Sequence, residues 1–306
     1  MAATPTQPAL PANAVFNRVS GTSTSQLTIP SRVNYRNKLL DFFVTNPPSG
    51  GYADISVGSR VYMRVPFQVS NSFLIGSPVY KVKGLGFLWY FASELLKDVG
   101  YLPDAAEDED INITLSSGAT RIDAYYLQYQ TQDVTSHSIK GGSDFPQKPF
   151  IDIFTGSSTT VGTGQKILSE NEPTGLNLLD NTGRISPTTT YEVYTLVADY
   201  VSSGTNNTEY QRLHVFDEEI ELYTPLNHEG LLIDETIPAN DLRFDLRNQY
   251  YFRQDKPYLW QPSHKMNLLV DVAAVTGTGS PLYVYLLGLK TKTGVATGGT
   301  ATAGGA

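Results

Sequence analysis

The chain has four histidines, His137, His214, His228 and His264, and no two of them stand at metal-ligand spacing. His214 lies in the strand-like run Arg212-Leu-His-Val-Phe216 and is expected on a polar strand face. His228, in Asn227-His-Glu-Gly230, is expected in a turn. The carboxylates offer more. Asp104 with Glu107-Asp-Glu-Asp110 makes a dense anionic loop, and a hard cation such as Ca²⁺ prefers such oxygens. The regular calcium-loop spacing and its central glycine are missing, so a solvated loop tip is the favoured reading. Asp217-Glu-Glu219 with Glu221 has the residue types of a glycosidase pair, but those carboxylates must face one another across about 5–10 Å. Sequential carboxylates on a strand alternate faces, so an edge or solvated strand is expected instead. There is no H-E-x-x-H pair, G-x-S-x-G elbow or G-x-x-x-x-G-K-[ST] loop. Residues 156–166 carry glycines and end in Lys166 at the wrong spacing, and are expected to connect strands.

The chain contains no cysteine, which excludes disulfides, thiolate zinc sites, iron–sulfur clusters and a cysteine nucleophile. No catalytic, cofactor-binding or metal-binding residue is assigned, and no cofactor is expected. Trp89 and Trp260, with Tyr125-Tyr126-Leu-Gln-Tyr129 and Tyr250-Tyr-Phe252, could stack on sugars or bases. Core filling accounts for most of them, and Tyr-rich faces poor in lysine also suit large protein–protein interfaces. Basic residues form no stripe; Arg32, Arg36 and Lys38 are the densest group, on one face of an early strand. Asn112-Ile-Thr114 and Asn206-Asn-Thr208 match a glycosylation acceptor pattern, which carries weight only in a secreted chain.

The elements that must position these groups have a period of two. Val61, Met63, Val65, Phe67 and Val69 alternate with polar neighbours, as do Leu242, Phe244 and Leu246. Met266, Leu268, Val270 and Val272 form another row, Leu282, Val284 and Leu286 a further one, and Val193, Thr195, Val197 and Asp199 continue the pattern. Each such row buries one strand face and wets the other. The run Thr276-Gly277-Thr278-Gly279-Ser280-Pro281 predicts a hairpin or short loop. Helix is expected only at residues 90–99, where Phe91, Leu95 and Val99 share a face before Gly100, and as a short turn near 176–179. The fold class is therefore all-β, an antiparallel sandwich or barrel with one or two short helices.

Composition agrees. Among 306 residues, 26 Gly, 18 Pro, 19 Tyr and 13 Phe accompany only 17% charged residues, while 40% hydrophobic content supports a real core. The 22 Lys+Arg against 30 Asp+Glu leave a net charge of −8, a field that repels phosphate backbones, so direct sequence-specific nucleic-acid binding is not expected. The start has neither a positive n-region nor an apolar h-region, and no apolar run approaches the roughly 18 residues of a membrane span. A soluble chain without its own export signal is expected.

Both ends read as tails. No charge precedes Arg18, and Pro5, Pro8 and Pro11 interrupt a small-residue stretch; residues 291–306 are a Gly/Thr/Ala tract. They are expected either to be disordered or to order against neighbouring subunits. The turn-rich stretch from Lys140 to Pro149 divides the body almost evenly. Eight short strands fit each side, giving an arm at 1–17, barrels at 18–142 and 143–290, and a tail at 291–306. No internal sequence repeat links the two sides, and one barrel with a large insertion fits the length as well.

A cysteine-free, acidic, Thr/Gly/Tyr-rich β chain with uncharged Pro-rich and Gly-rich ends looks like a virion shell protein. The even division at 140–149, the closing rows at 266–272 and 282–289, and the two tails resemble the vertical jelly-roll major capsid proteins of tailless icosahedral bacteriophages, relatives of adenovirus hexon. The resemblance implies two jelly-roll barrels in tandem and a homotrimeric, pseudo-hexagonal capsomer that tiles an icosahedral shell. It further implies contacts with neighbouring capsomers, minor capsid or vertex proteins and an internal membrane, residence in the virion after assembly in the host cytoplasm, and no catalytic step. Two other classes are compatible with the composition: a phage spike or surface carbohydrate-binding β-sandwich module, and a carbohydrate-active enzyme.

Overall fold

The computed structural model describes residues 13–45, 51–66, 102–119, 121–131, 147–170, 178–200, 207–222, 249–251, 257–279 and 281–292. Among them the chain is all β, every ladder is antiparallel, and there is no α-helix. The helix expected at 90–99 and the row at 242–246 lie outside the described residues. The turn expected near 176–179 is instead, at Leu179, an isolated bridge to Ile185.

The first half contains β1 (Val15–Thr22), β2 (Gln26–Ile29), β3 (Tyr35–Thr45), β4 (Tyr52–Val57), β5 (Arg60–Pro66), β6 (Asp104–Ala105), β7 (Ile111–Leu115) and β8 (Arg121–Gln130). They form two four-stranded sheets, sheet 1 in the order β1-β8-β3-β6 and sheet 2 in the order β2-β7-β4-β5. The second half contains β9 (Gln147–Gly156), β10 (Gly162–Gln165), β11 (Ser169–Glu170), β12 (Thr189–Tyr200), β13 (Asn207–Asp217), β14 (Ile220–Glu221), β15 (Gln249–Tyr251), β16 (Tyr258–Trp260), β17 (Met266–Thr276) and β18 (Leu282–Lys292). Sheet 3 runs β11-β9-β18-β12-β15 with β16 also on β12, and sheet 4 runs β10-β17-β13-β14.

The two halves share one wiring. In each, the first strand pairs the last, the second pairs the last but one, and a tight two-residue turn joins the innermost pair, β4–β5 or β13–β14. Both turns open on a left-handed residue, Gly58 (φ 59°) and Glu218 (φ 54°), as a two-residue hairpin requires. The strands that pair the other side of the last strand, β3 and β12, also carry a one-residue bulge each, at Leu40 in β3 and at Tyr194 in β12. Superposing the bulges puts Leu39 opposite Tyr126 in register with Val193 opposite Gly288, so the strands can be compared residue by residue.

Sheets 1 and 2 enclose one core, with Ile29, Leu39, Phe42, Ile55 and Val65 fully buried; sheets 3 and 4 enclose another around Trp260, Tyr210, Leu196, Val270 and Leu286. Each such side chain contributes about 1.5–3 kcal/mol of apolar burial. Sheet 3 is covered on both faces. Its far side, with Ile151, Ile153, Tyr194, Tyr283, Tyr285, Leu287 and Leu289, belongs to the same apolar cluster as the first half's core. This is why β18 is buried at eight successive positions, Leu282 to Leu289, where a half-exposed strand would alternate. β5 lies along β9, and Tyr62, the bulged residue of β5, is buried with Lys148 Nζ 5.2 Å from its ring centroid.

Two sequence boundaries shift. β1 begins at Val15, so residues 15–17 belong to a strand and not to the arm, and β18 runs through Lys292, past the expected end at 290. Of the two forms expected for the Gly-rich run after Thr276, the short loop is the one found: it joins β17 in sheet 4 to β18 in sheet 3. Gly277 and Gly279 take positive φ there, and a Cβ on Gly279 would meet the Ser158 carbonyl at 2.1 Å.

Candidate functional site

The acidic stretch resolves into single structural tasks. Asp104 is not part of a solvated loop: it sits in β6, 3% exposed, 3.0 Å from Arg36 Nε on β3, and accepts a hydrogen bond from the Tyr129 hydroxyl of β8. Burial pushes its carboxyl up against the pull of Arg36, and burial beside Asp104 raises Tyr129. Glu107 accepts from the Asn34 amide (2.8 Å), Asp110 from that of Ser31 (2.6 Å) and Glu109 from that of Ala106 (3.1 Å). Glu107 and Asp110 thus cap backbone donors of the β2–β3 connection, and Glu109 caps one within its own loop. Asp108 is left exposed. Asn112, one of the two glycosylation candidates, points its side-chain oxygen at Gln26 and Thr28; Asn206 lies outside the described residues.

The second acidic group surrounds the β13–β14 turn at the edge of sheet 4. Asp217 accepts from the Tyr258 hydroxyl (2.6 Å) and lies 2.9 Å from His264 Nδ1. Glu218 accepts from the Lys265 amide (3.0 Å) and from Arg184 (2.9 Å), and these bonds hold its carboxyl below the usual range. Glu219 and Ile220 are exposed at the tip. Asp217 and Glu218 are thus each held by donors beside the turn. His214 lies on the polar face of β13 as expected, with Nδ1 2.5 Å from Glu221 and Nε2 3.2 Å from Asp271. A neutral imidazole has one N–H, so only the imidazolium satisfies both carboxylates. Burial disfavours that charge, but the two carboxylates outweigh it and raise the pKa. His137 and His228 lie outside the described residues, and among those described no group of three such side chains is arranged to hold a metal ion.

Trp260 is fully buried beneath Tyr258, ring centroids 4.7 Å apart, so it fills the second core and offers no stacking face to a sugar. Trp89 lies outside the described residues. Tyr125 does reach the surface, stacked on Phe16 (5.8 Å) and edge-on to Phe43 (5.8 Å).

That aromatic group marks the feature the sequence did not single out, the outer face of sheet 1. By the matched registers, Arg121, Asp123, Tyr125 and Leu127 of β8 occupy the places of Tyr283, Tyr285, Leu287 and Leu289 of β18. Arg18 and Ser20 of β1 occupy those of Ile151 and Ile153 of β9. Where sheet 3 presents an apolar face that the first half covers, sheet 1 presents a charged network. Asp123 accepts from Ser20, lies 2.7 Å from Arg18 and 2.7 Å from Arg121, and although its burial opposes ionisation these donors bring its pKa down to about 2. Beside the network, Val15 and Phe16 remain 56% and 60% exposed. The available signal was the alternation Arg121-x-Asp123-x-Tyr125, which gives one strand face two charges and a ring. Such a face has the composition of an interface, aromatic and Arg-rich with few lysines. No protein-family model matches the chain, and no curated protein matches it.

Proposed function

We propose that this chain is a structural shell subunit, a major capsid protein of the vertical jelly-roll kind. In this reading its two halves are jelly-roll barrels, one from β1 to β8 and one from β9 to β18, and three copies close into a pseudo-hexagonal capsomer. The observation that carries the reading is the repetition of one strand order: β1-β8-β3-β6 facing β2-β7-β4-β5 in the first half, and β9-β18-β12 with β15 and β16 facing β10-β17-β13-β14 in the second, where the two-residue β11 is added beside β9. That order is what two interleaved Greek keys produce. Two such units per chain and threefold symmetry yield six similar lobes, the footprint that tiles a shell. The stiffness a shell needs is supported by two apolar cores sharing a sheet buried on both faces. Neighbouring capsomers, minor capsid or vertex proteins and an internal membrane are the partners in this reading, the virion is the location, and no catalytic residue is called for.

Negative-stain electron microscopy of the purified full-length protein tests the proposal. Six-lobed particles about the width of two barrels per edge, or closed shells and ordered arrays, are the expected result. Isolated single-chain particles at all concentrations would overturn it.

A further inference from the structure

Of the strands that end a sheet among the described residues, β1 is the longest and the most regular. β6, β11 and β14 have two residues each, β15 and β16 three, β2 and β10 four. β5 has seven, but it is bulged and lies along β9. β1 has eight, pairs β8 from Val15 to Thr22 without a register shift, and carries no second strand on its far side among the described residues. An edge of that length and regularity is a template for pairing unless proline, lysine or a bulge protects it. β1 has none of these, and its one charge is Arg18. The matching strand of the second half is partly occupied at the same edge: β11 pairs β9 at Phe154 and Thr155, the places of Gly21 and Thr22. On the core-facing row, Phe150, Asp152 and Phe154 of β9 are buried, whereas Asn17, Val19 and Gly21 of β1 are only half-buried.

The run Val15-Phe-Asn-Arg-Val19 is complementary to itself. Laid antiparallel on a second copy with Asn17 opposite Asn17, it sets Val15 opposite Val19 on the core-facing row and Phe16 opposite Arg18 on the outer row, each pair twice. The arginine then meets an aromatic ring, as it does within its own chain, where it lies 5.7 Å from the Tyr125 centroid. Other registers do less. One centred on Arg18 puts like charges opposite each other, one centred on Phe16 pairs only Val15 to Asn17, and one centred on Val19 leaves Val15, 56% exposed, outside the ladder. A one-residue slip would turn the core-facing row outward. We infer that β1 of one chain pairs antiparallel with β1 of a second copy, centred on Asn17, so that two copies of sheet 1 become one eight-stranded sheet across a twofold axis. The inference rests on the shell reading and names a contact between its capsomers: a twofold link between threefold units extends them into a net.

Because the chain contains no cysteine, disulfide trapping reads the contact directly. In this register the two Asn17 Cα atoms stand about 5 Å apart and the two Thr22 Cα atoms about 33 Å apart. Full-length Asn17→Cys, mildly oxidised, is expected to form a linked dimer at least about tenfold faster than full-length Thr22→Cys, each with the wild-type melting temperature. Val15→Lys puts a charge on the core-facing row of the edge, where it opposes pairing. It is expected to weaken association between capsomers about tenfold, read by sedimentation, with the melting temperature unchanged. If the wild-type chain assembles but Asn17→Cys links no faster than Thr22→Cys, or Val15→Lys associates as the wild type does, this contact is overturned, the edge falls to another segment, and the shell reading stands. If the wild-type chain stays monomeric at every concentration, both fall.

Discussion

The two halves of this molecule run the same path and differ in what they place on one face. Sheet 3 turns Ile151, Ile153, Tyr283, Tyr285 and Leu287 outward, and the first half covers them. Sheet 1 turns Arg18, Ser20, Arg121, Asp123 and Tyr125 outward from matching positions and keeps them at the surface. Wiring therefore sets the shape of each unit, and the face chemistry sets its neighbours. A face destined to be buried within the chain can be wholly apolar, because it is never exposed in the folded monomer. A face that must meet water before it meets a partner needs charges to keep it soluble.

Exchanging residues between the matched faces should break the comparison most sharply. Tyr285→Asp gives sheet 3 the residue that sheet 1 carries at the same place, Asp123, but in a site 1% exposed within an apolar cluster. It should cost more than about 4 kcal/mol, read as a collapse of the denaturant midpoint, because a carboxylate is then buried among apolar side chains. Next is Arg36→Leu, which leaves Asp104 buried without its cation and should cost about 3 kcal/mol. Arg36→Leu combined with Asp104→Leu should recover most of that loss in the same titration, since the pair's desolvation is then removed together.

Smaller effects sharpen the picture. Asp123→Asn should lower the melting temperature by only about 2 °C at neutral pH, since its partners Arg18 and Arg121 keep their water. The folded pKa of Asp123, about 2, lies below the unfolded value, so its contribution is full above about pH 4 and fades as pH falls toward 2. The Asn variant should lose that acid-limb difference. The smallest effect belongs to His214, whose folded pKa is raised. Its contribution is full below the unfolded value near 6.5 and is lost as pH rises through the higher folded value. Melting curves of the wild type and of His214→Gln should therefore differ more at pH 6 than at pH 9, by about 1–2 °C.

The sequence carried the strand class because the two-residue rhythm of 266–272 and 282–286 reports burial directly. It hid the duplication because matched positions share geometry and not identity: of the four outward pairs on β8 and β18, only Leu127 and Leu289 agree. The repeated features, a bulge and a left-handed turn, are backbone events that Leu40 and Tyr194, or Gly58 and Glu218, satisfy with unlike side chains. Asp104 was misplaced for a related reason. Proximity along the chain grouped it with residues 107–110, while its partners Arg36 and Tyr129 are distant in sequence and meet it only across sheet 1. Trp260 alone gives no sign of burial, yet the period of Tyr258 and Trp260 on β16 turns both toward the core side.

Sedimentation velocity of the full-length protein across a wide concentration range tests most directly whether these paired barrels are built to assemble. The account predicts a species of three 33.5 kDa chains growing at the expense of the monomer, with larger assemblies above it. A single boundary at one chain's mass, unchanged up to the highest concentration reached, would contradict it.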